Sequence, residues 1–259
     1  MRELWFAGDG PPLYAVEDGA GRTIVMLHGP LASHVAALPL VAPLAARYRI
    51  VTPDLRGSGR SKCGAPLTFD RLADDVAALL DQLGVERAVV GGVSGGAGVA
   101  VRCALRHPGR LAGLVVVRPA YAGAERGYTA EQKATFAAMD AVASRALVEG
   151  IEVLRPLYAN LPEPMREKAL AMSAGFDPAS VVATSHFVAS GAQPFAAAAD
   201  LRSIALPALL VRGEDALHPA EVSDLYAANL PDCTVEPAST TDVAAAIAVF
   251  CDRRARWAR

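Results

Sequence analysis

Histidine is scarce in this chain of 259 residues, and the last of its five histidines is His218, so no imidazole can come from the segment that follows. An excess of either charge is also missing. Lys and Arg number 25 against 27 Asp and Glu, which leaves no basic footprint for nucleic acid, and Arg253, Arg254, Arg256 and Arg259 read as a solvated tail. Cys63, Cys103, Cys233 and Cys251 are scattered, without a C-x-x-C pair or a histidine at metal-ligand spacing. Free thiols in a reducing compartment therefore fit better than disulfides or zinc. No run of 18 apolar residues occurs, and Met1-Arg2-Glu3-Leu4-Trp5 opens without a long apolar segment. The expectation is a soluble cytoplasmic protein with no membrane or nucleic-acid partner. Internal repeats and low-complexity linkers are absent too.

What is present is apolar. At 53% hydrophobic and 20% charged, the chain can bury a large core, and one domain is expected. Thr23 to Leu27, Arg49 to Thr52, Arg87 to Val93, Leu111 to Val117, Ala208 to Arg212 and Thr234 to Glu236 are too continuously apolar for half-exposed strands, which predicts a mostly parallel sheet covered on both faces. Between them, Phe69, Leu72, Val76, Leu79, Leu80 and Leu83 share a helical face, with Thr68 as cap and Gly84 as stop. From about Ala122 to Asp200 strand-like runs give way to helix signals: a Thr129/Gln132 capping box, and Pro164 and Pro178 near helix starts. The α/β class follows, with a core of residues 1–121 and 201–259 and a helical cap of residues 122–200 inserted in it.

Gly92-Val93-Ser94-Gly95-Gly96 is a G-x-S-x-G sequence set between the strand Ala88 to Val93 and a helix opening at Gly95. A sharp turn there presents a serine hydroxyl, and small neighbours let strand and helix approach. The five-residue pattern alone is weak; its strand-turn-helix context is what gives it weight. Serine at neutral pH is a poor nucleophile and needs a base to take its proton.

With Val25-Met26-Leu27-His28-Gly29, Thr52-Pro53-Asp54-Leu55-Arg56-Gly57-Ser58-Gly59-Arg60-Ser61 and Leu209-Leu210-Val211-Arg212-Gly213-Glu214-Asp215 in the same order, the chain resembles the α/β-hydrolase superfamily over nearly its whole length. The resemblance implies that Ser94 matches the nucleophile, Asp215 the acid, and His28-Gly29 the oxyanion loop, with Asp54 and Arg56 in a structural turn. It implies a small-molecule substrate and no cofactor.

Two departures stand out. The family's last loop carries the catalytic histidine, whereas here Pro237-Ala238-Ser239-Thr240-Thr241 passes directly to a helix capped by Asp242. The ordinary triad is therefore degenerate. The family also donates an oxyanion N–H from the residue after His-Gly, and Pro30 has none; Gly95 and Leu31 are the remaining candidate donors.

The other histidines are weighed as replacements. His28 matches a packing position beside the oxyanion loop, and His107 reads as a helix end. His34 in the oxyanion loop and His186 in the cap are candidates for facing the pocket. His218, three residues after Asp215, is the best candidate base, against the plainer reading of a loop histidine that bonds nearby backbone. Arg118, at the end of a buried strand, either pairs locally or points into the cleft, where it would favour an anionic or enolate-forming substrate.

Three functions stay open on sequence. One is an atypical hydrolase of a small, largely apolar ester, lactone or thioester using Ser94 and a relocated base. Another is a non-hydrolytic cyclase, lyase or isomerase in which Ser94 only hydrogen-bonds. The third is a ligand-binding pseudo-hydrolase. A monomer or homodimer fits each.

Overall fold

Alternating side chains on five buried strands settle where the two hydrophobic layers lie. In a computed structural model, which describes residues 1–159, 161–238 and 242–253, Ile24 and Met26 of one strand face one layer while Val25 and Leu27 face the other. The strands are β1 (Arg2–Phe6), β2 (Leu13–Asp18), β3 (Thr23–Leu27), β4 (Arg49–Pro53), β5 (Ala88–Val93), β6 (Leu111–Val117), β7 (Ala208–Val211) and β8 (Cys233–Glu236). They form one sheet in the order β1-β2-β4-β3-β5-β6-β7-β8. The pairings from β4 through β8 are all parallel, and β1 and β2 join antiparallel at one end.

The helices are α1 (His34–Ala37), α2 (Phe69–Gln82), α3 (Gly95–Arg106), α4 (Ala130–Ala143), α5 (Ala146–Glu149), α6 (Met165–Ser173), α7 (Pro178–Ala189), α8 (Ala220–Asn229) and α9 (Val243–Arg253). α2, α3 and α8 pack on one face of the sheet; α1 and α9 pack on the other. Among the described residues, no helix is long and apolar enough to cross a membrane. Local chemistry explains the helix ends. Thr68 accepts the Arg71 N–H at the start of α2, Gly84 follows that helix with φ +63°, and Thr129 and Gln132 close a reciprocal capping box on α4.

Between β6 and β7 the described residues form helices, 3₁₀ turns and loops without a strand. Their own apolar cluster joins Ala143, Ala146, Leu154, Tyr158, Phe176 and Val181, and one residue from the sheet side, Leu31, plugs into it. The sheet also holds two strands, β1 and β2, beyond those that the apolar runs predict. Arg2-Glu3-Leu4-Trp5-Phe6 is short, half polar and at the sheet's edge, without the apolar run that marks the central strands, while Leu13–Asp18 opens with a buried run, Leu13 to Val16, only four residues long and set directly after a Gly-Pro-Pro turn.

β3 lies between β4 and β5, so the chain reverses its winding direction there. A crevice opens beyond the carboxyl ends of parallel strands at such a switch point. The loops that leave β3 and β5 carry Pro30 and Ser94.

Candidate active site

Three residues other than glycine hold a left-handed backbone among the described residues: Leu31 at φ 51°, Ser94 at φ 53° and Arg118 at φ 48°. Side chains disfavour this region, and strain of this kind concentrates where geometry is needed for function. All three follow the carboxyl ends of neighbouring strands. The sheet holds two of them directly: Ser94 N–H donates to the Val117 carbonyl at 3.0 Å, and Arg118 N–H donates to the Val211 carbonyl at 2.8 Å.

Ser94 lies between β5 and α3, half-buried, and its hydroxyl makes no hydrogen bond among the described residues. The carbonyl of Ser94 is taken by the N–H groups of Ala97 and Gly98, which starts α3 and leaves its N-terminal end facing the crevice. Beside it, the Pro30 ring stands 2.8 Å from where a Cβ on Gly95 would be, so a side chain at Gly95 would collide with the oxyanion loop. Leu31 is buried, and its carbonyl accepts a 3.0 Å hydrogen bond from the buried Tyr158 hydroxyl of the inserted helices. Burial pushes the Tyr158 phenol up to about 12, so it remains a donor. A cleft of about 370 Å³, its open mouth included, runs from Pro30 and Gly95 past Leu55 and Phe69 to Tyr121 and Phe187. Its exposed wall is almost wholly apolar, although His28, Arg56, Ser58 and Thr184 stand among the lining residues; Ser94 and His218 lie outside that lining.

The five histidines separate sharply by what their two ring nitrogens do. His28 is fully buried; Nδ1 lies 2.7 Å from the Gly29 carbonyl and Nε2 accepts the Leu55 N–H at 2.9 Å. Burial holds its pKa below the usual value, so the neutral ring with Nδ1–H is the form that fits. His34 packs on the Tyr14 ring and places Nδ1 2.7 Å from Asp54. His107 bonds Asp74 at a helix end. His186 is exposed on α7 and bonds Asp140, while its neighbours Phe187 and Val188 line the cleft.

His218 differs from all four. Its Nδ1 lies 2.8 and 3.0 Å from the two Asp215 carboxylate oxygens, while its Nε2 is buried and has no hydrogen-bond partner among the described residues. A neutral ring donating Nδ1–H to a carboxylate leaves the lone pair on Nε2, which is the arrangement a general base requires. The turn that carries the pair is tightly built. Asp215 Oδ1 accepts the N–H groups of Leu217 and His218, and a Cβ on Gly213 would collide with the His218 Cβ. Burial works to raise the Asp215 pKa, but the hydrogen bond and charge of His218 and the two backbone donors outweigh it, and the carboxyl is held below its usual range. Among the described hydrogen bonds, none links His218 to Ser94.

Arg118 is exposed, makes no ion pair among the described residues, and leaves the strand that separates the Ser94 strand from the one leading to His218. In the last loop only Pro237 and Ala238 are described; Ser239 to Thr241 lie outside the described residues, as do Arg254, Arg256 and Arg259. Two further residues at the site, Tyr158 and Gln132, are not among those the sequence points to. Tyr158 carries no motif. Gln132 carries a visible signal as a helix cap, but its second role, described below, depends on contacts distant in the chain.

The α/β hydrolase fold family matches residues 22–238. Among curated relatives, the 2-hydroxymuconate semialdehyde hydrolase of Pseudomonas sp. (strain CF600) is 36% identical over 121 residues, 45% of this chain and 42% of the relative. Lipase LipV of Mycobacterium tuberculosis is 33% identical over 148 residues, 57% of this chain and 46% of the relative. The chain spans less than half the length of the curated relatives it matches. In structure it is similar to a thermophilic esterase from Thermogutta terrifontis, with TM-score 0.74 and 25% identity over 99% of this chain and 98% of the other. It shares its fold with the enol-lactonase of Burkholderia xenovorans LB400 as well, at TM-score 0.76 and 19% identity over 98% and 99% of the two chains. The turn at Ser94, the parallel sheet and the family match over most of the sequence agree: this chain belongs to the α/β-hydrolase fold family.

Proposed function

We propose that the protein is a hydrolase of a small, largely apolar carbonyl compound, an ester, lactone or thioester, in which an Asp215–His218 pair replaces the usual terminal histidine as the base for Ser94. The observation that carries this reading is the state of His218: Nδ1 on a carboxylate and Nε2 buried without a partner among the described residues. A buried, unpaired ring nitrogen is costly unless something is meant to meet it. In the reaction, Ser94 Oγ attacks the carbonyl carbon and its proton passes to His218 Nε2. Asp215 stabilises the imidazolium that forms. The Gly95 N–H and, in place of the missing Pro30 donor, the Leu31 N–H receive the developing oxyanion. The imidazolium then protonates the leaving group, and water attacks the acyl-enzyme by the same route in reverse. This mechanism requires the Oγ to Nε2 hydrogen bond to form in the Michaelis complex, where such contacts tighten. The apolar cleft wall supports the substrate class, and relatives named as a semialdehyde hydrolase and a lipase support hydrolysis.

The test uses a fluorophosphonate probe and p-nitrophenyl butyrate. Labelling at Ser94, and ester turnover lost on the order of 10⁴-fold or more in both Ser94→Ala and His218→Ala, is the expected result. Labelling that is unchanged in His218→Ala would sink the relocated base.

The open Ser94 to His218 contact favours one second reading, a non-hydrolytic lyase or isomerase. There His218 would move a proton on the bound carbonyl compound, Ser94 would only hydrogen-bond, and Arg118 would steady an enolate. Turnover of such a substrate would survive Ser94→Ala and fail in His218→Ala.

A further inference from the structure

The side chain of Gln132 makes more of its hydrogen-bonding capacity than a helix cap needs. It is the third residue of α4 and is 1% exposed. Its Oε1 accepts the Thr129 N–H at 3.0 Å, which together with the bond from its own N–H to Thr129 Oγ1 completes the capping box. That would leave the amide NH₂ group free to bond any nearby carbonyl. Instead its two hydrogens go to two separate loops at the carboxyl edge of the sheet: Nε2 donates to the Ala120 carbonyl at 2.9 Å and to the Leu217 carbonyl at 2.8 Å.

The Leu217 carbonyl belongs to the same peptide unit as the His218 N–H, and a peptide unit is planar. Its N–H end is held by Asp215, through Oδ1 at 2.9 Å and the main-chain oxygen at 3.1 Å. Its C=O end is held by Gln132. With both ends held, the plane resists rotation, and the position of the His218 Cα, from which the side chain departs, is fixed with it. The second arm, on Ala120, ties the same point to the loop two residues past Arg118. Among the described hydrogen bonds, Gln132 is the direct side-chain link between the inserted helices and the His218 turn.

We infer that Gln132 is a positioning residue for the reaction: its amide clamps the Leu217–His218 peptide so that His218 Nε2 is aimed toward Ser94. The inference rests on the reading of His218 as the base. Releasing the carbonyl end lets the peptide plane tilt and moves Nε2 by a fraction of an ångström to an ångström, which is the scale at which misplaced catalytic groups lose about 10²-fold.

The experiment is a double-mutant cycle on p-nitrophenyl butyrate hydrolysis with Gln132→Met, which keeps the length of the side chain and removes both donors, and His218→Ala. For Gln132→Met alone, kcat is expected to fall about 10- to 100-fold with KM within about 3-fold, measured well below the unfolding temperature, and the rate of phosphonylation at Ser94 to fall in parallel. In the His218→Ala background the same substitution is expected to change kcat less than about 2-fold, because Gln132 acts only through His218. A clamp that merely holds the fold together would lower the unfolding temperature and leave kcat of the folded enzyme unchanged, and that result overturns the inference. So does an equal loss in both backgrounds. If His218→Ala has no effect on turnover, the reading of the base fails first and the inference falls with it; if His218→Ala abolishes turnover and Gln132→Met does not reduce it, the inference alone fails. Should Gln132→Met not fold, Gln132→Glu keeps the acceptor for Thr129 and the volume while losing donor capacity, and the same cycle is read with it.

Discussion

Two histidine-aspartate pairs of nearly equal geometry stand at this edge of the sheet and have opposite fates. His34 and Asp54 meet at 2.7 Å, and His218 and Asp215 at 2.8 Å. Asp54 is wholly enclosed, and its oxygens also accept the N–H groups of His34 and Arg60. Both oxygens of that carboxylate are drawn into the turn that follows β4, and the His34 ring leans on Tyr14 as part of the packing. Asp215 is about half exposed, while its histidine is mostly covered and keeps one nitrogen unused. The same two side chains make a rivet in one place and an orienting pair for a base in the other. The two rings are covered to a similar extent, 16% and 13% exposed, so what decides between them is the carboxylate: a fully enclosed one, tied by three hydrogen bonds, builds structure, and a half-exposed one that orients a ring whose far nitrogen is buried and unpartnered offers chemistry.

The largest expected effect separates the two pairs by activity. His218→Ala is expected to lower kcat for a small ester on the order of 10⁴-fold or more, with little change in unfolding temperature; His34→Ala is expected to keep kcat of the folded protein within about 10-fold. Initial rates and thermal melts on the two variants decide it. An inactive, fully folded His34→Ala beside an active His218→Ala would exchange their roles.

Stability should divide in the reverse sense. Asp54→Asn replaces a buried acceptor of three hydrogen bonds by a group that also presents donors, and the expected loss is about 3–5 kcal/mol by denaturant unfolding. Asp215→Asn changes a half-exposed pair and is expected to cost within about 1 kcal/mol while lowering kcat, because the ring loses the partner that selects its tautomer. Equal losses of stability would mean that burial does not distinguish the pairs.

Acid should find the rivet before it finds the sheet. His28, depressed by burial, is neutral when folded, and its Nε2 must accept from Leu55, so protonation breaks that bond. The folded pKa lies below the ordinary 6.5, so its stabilising contribution is complete above about that pH and is lost as pH falls from 6.5 toward the folded value. Burial works to raise the Asp54 pKa, but the His34 bond, the His28 charge and the two backbone donors hold it below 3.8, so its share is complete above 3.8 and lost on further acidification. Asp75 runs the other way: burial raises its carboxyl despite the Arg56 ion pair, so its contribution grows as pH falls. Denaturant midpoints are expected to begin falling below pH 6.5 and to fall more steeply below 3.8, and the steep second step should shrink in Asp54→Asn. A flat profile down to about pH 4 would remove His28 from this account.

Locality explains what could be read in the sequence. The elbow at Ser94 needs only a strand, a five-residue turn and a helix start, all contiguous, and the buried strands carry their own apolar signature. His218 is legible because its partner is three residues away. The partners of His34 and His186 are 20 and 46 positions distant, and no periodicity encodes them. Gln132 shows both cases in one side chain: its link to Thr129 three residues back is visible as a capping box, and its link to Leu217, 85 positions on, is not. The edge strand β1 escapes for the opposite reason: its pairing with β2 is local, but it is short and mostly exposed, without a continuous apolar run. β2 does carry a buried run, Leu13 to Val16, but it is only four residues long and ends at Glu17 and Asp18.

The smallest effect concerns the point where the inserted helices touch the oxyanion loop. Leu31 offsets its left-handed backbone with two anchors, its side chain in the apolar cluster of Ala143, Leu154 and Tyr158, and its carbonyl on the Tyr158 hydroxyl. Tyr158→Phe keeps the ring in that cluster and removes only the hydroxyl. The lost hydrogen bond is expected to cost about 1 kcal/mol in stability. If the Leu31 N–H receives the oxyanion, the loosened peptide should also lower kcat by about 3- to 10-fold with KM unchanged, because the interaction is made in the transition state and not with the bound ester. Steady-state kinetics beside denaturant unfolding separate the two. A loss of stability without any loss of kcat would assign the Tyr158 bond to the rivet side of the comparison, as a device that holds the loop shut, and would leave Gly95 as the only oxyanion donor of the proposed mechanism.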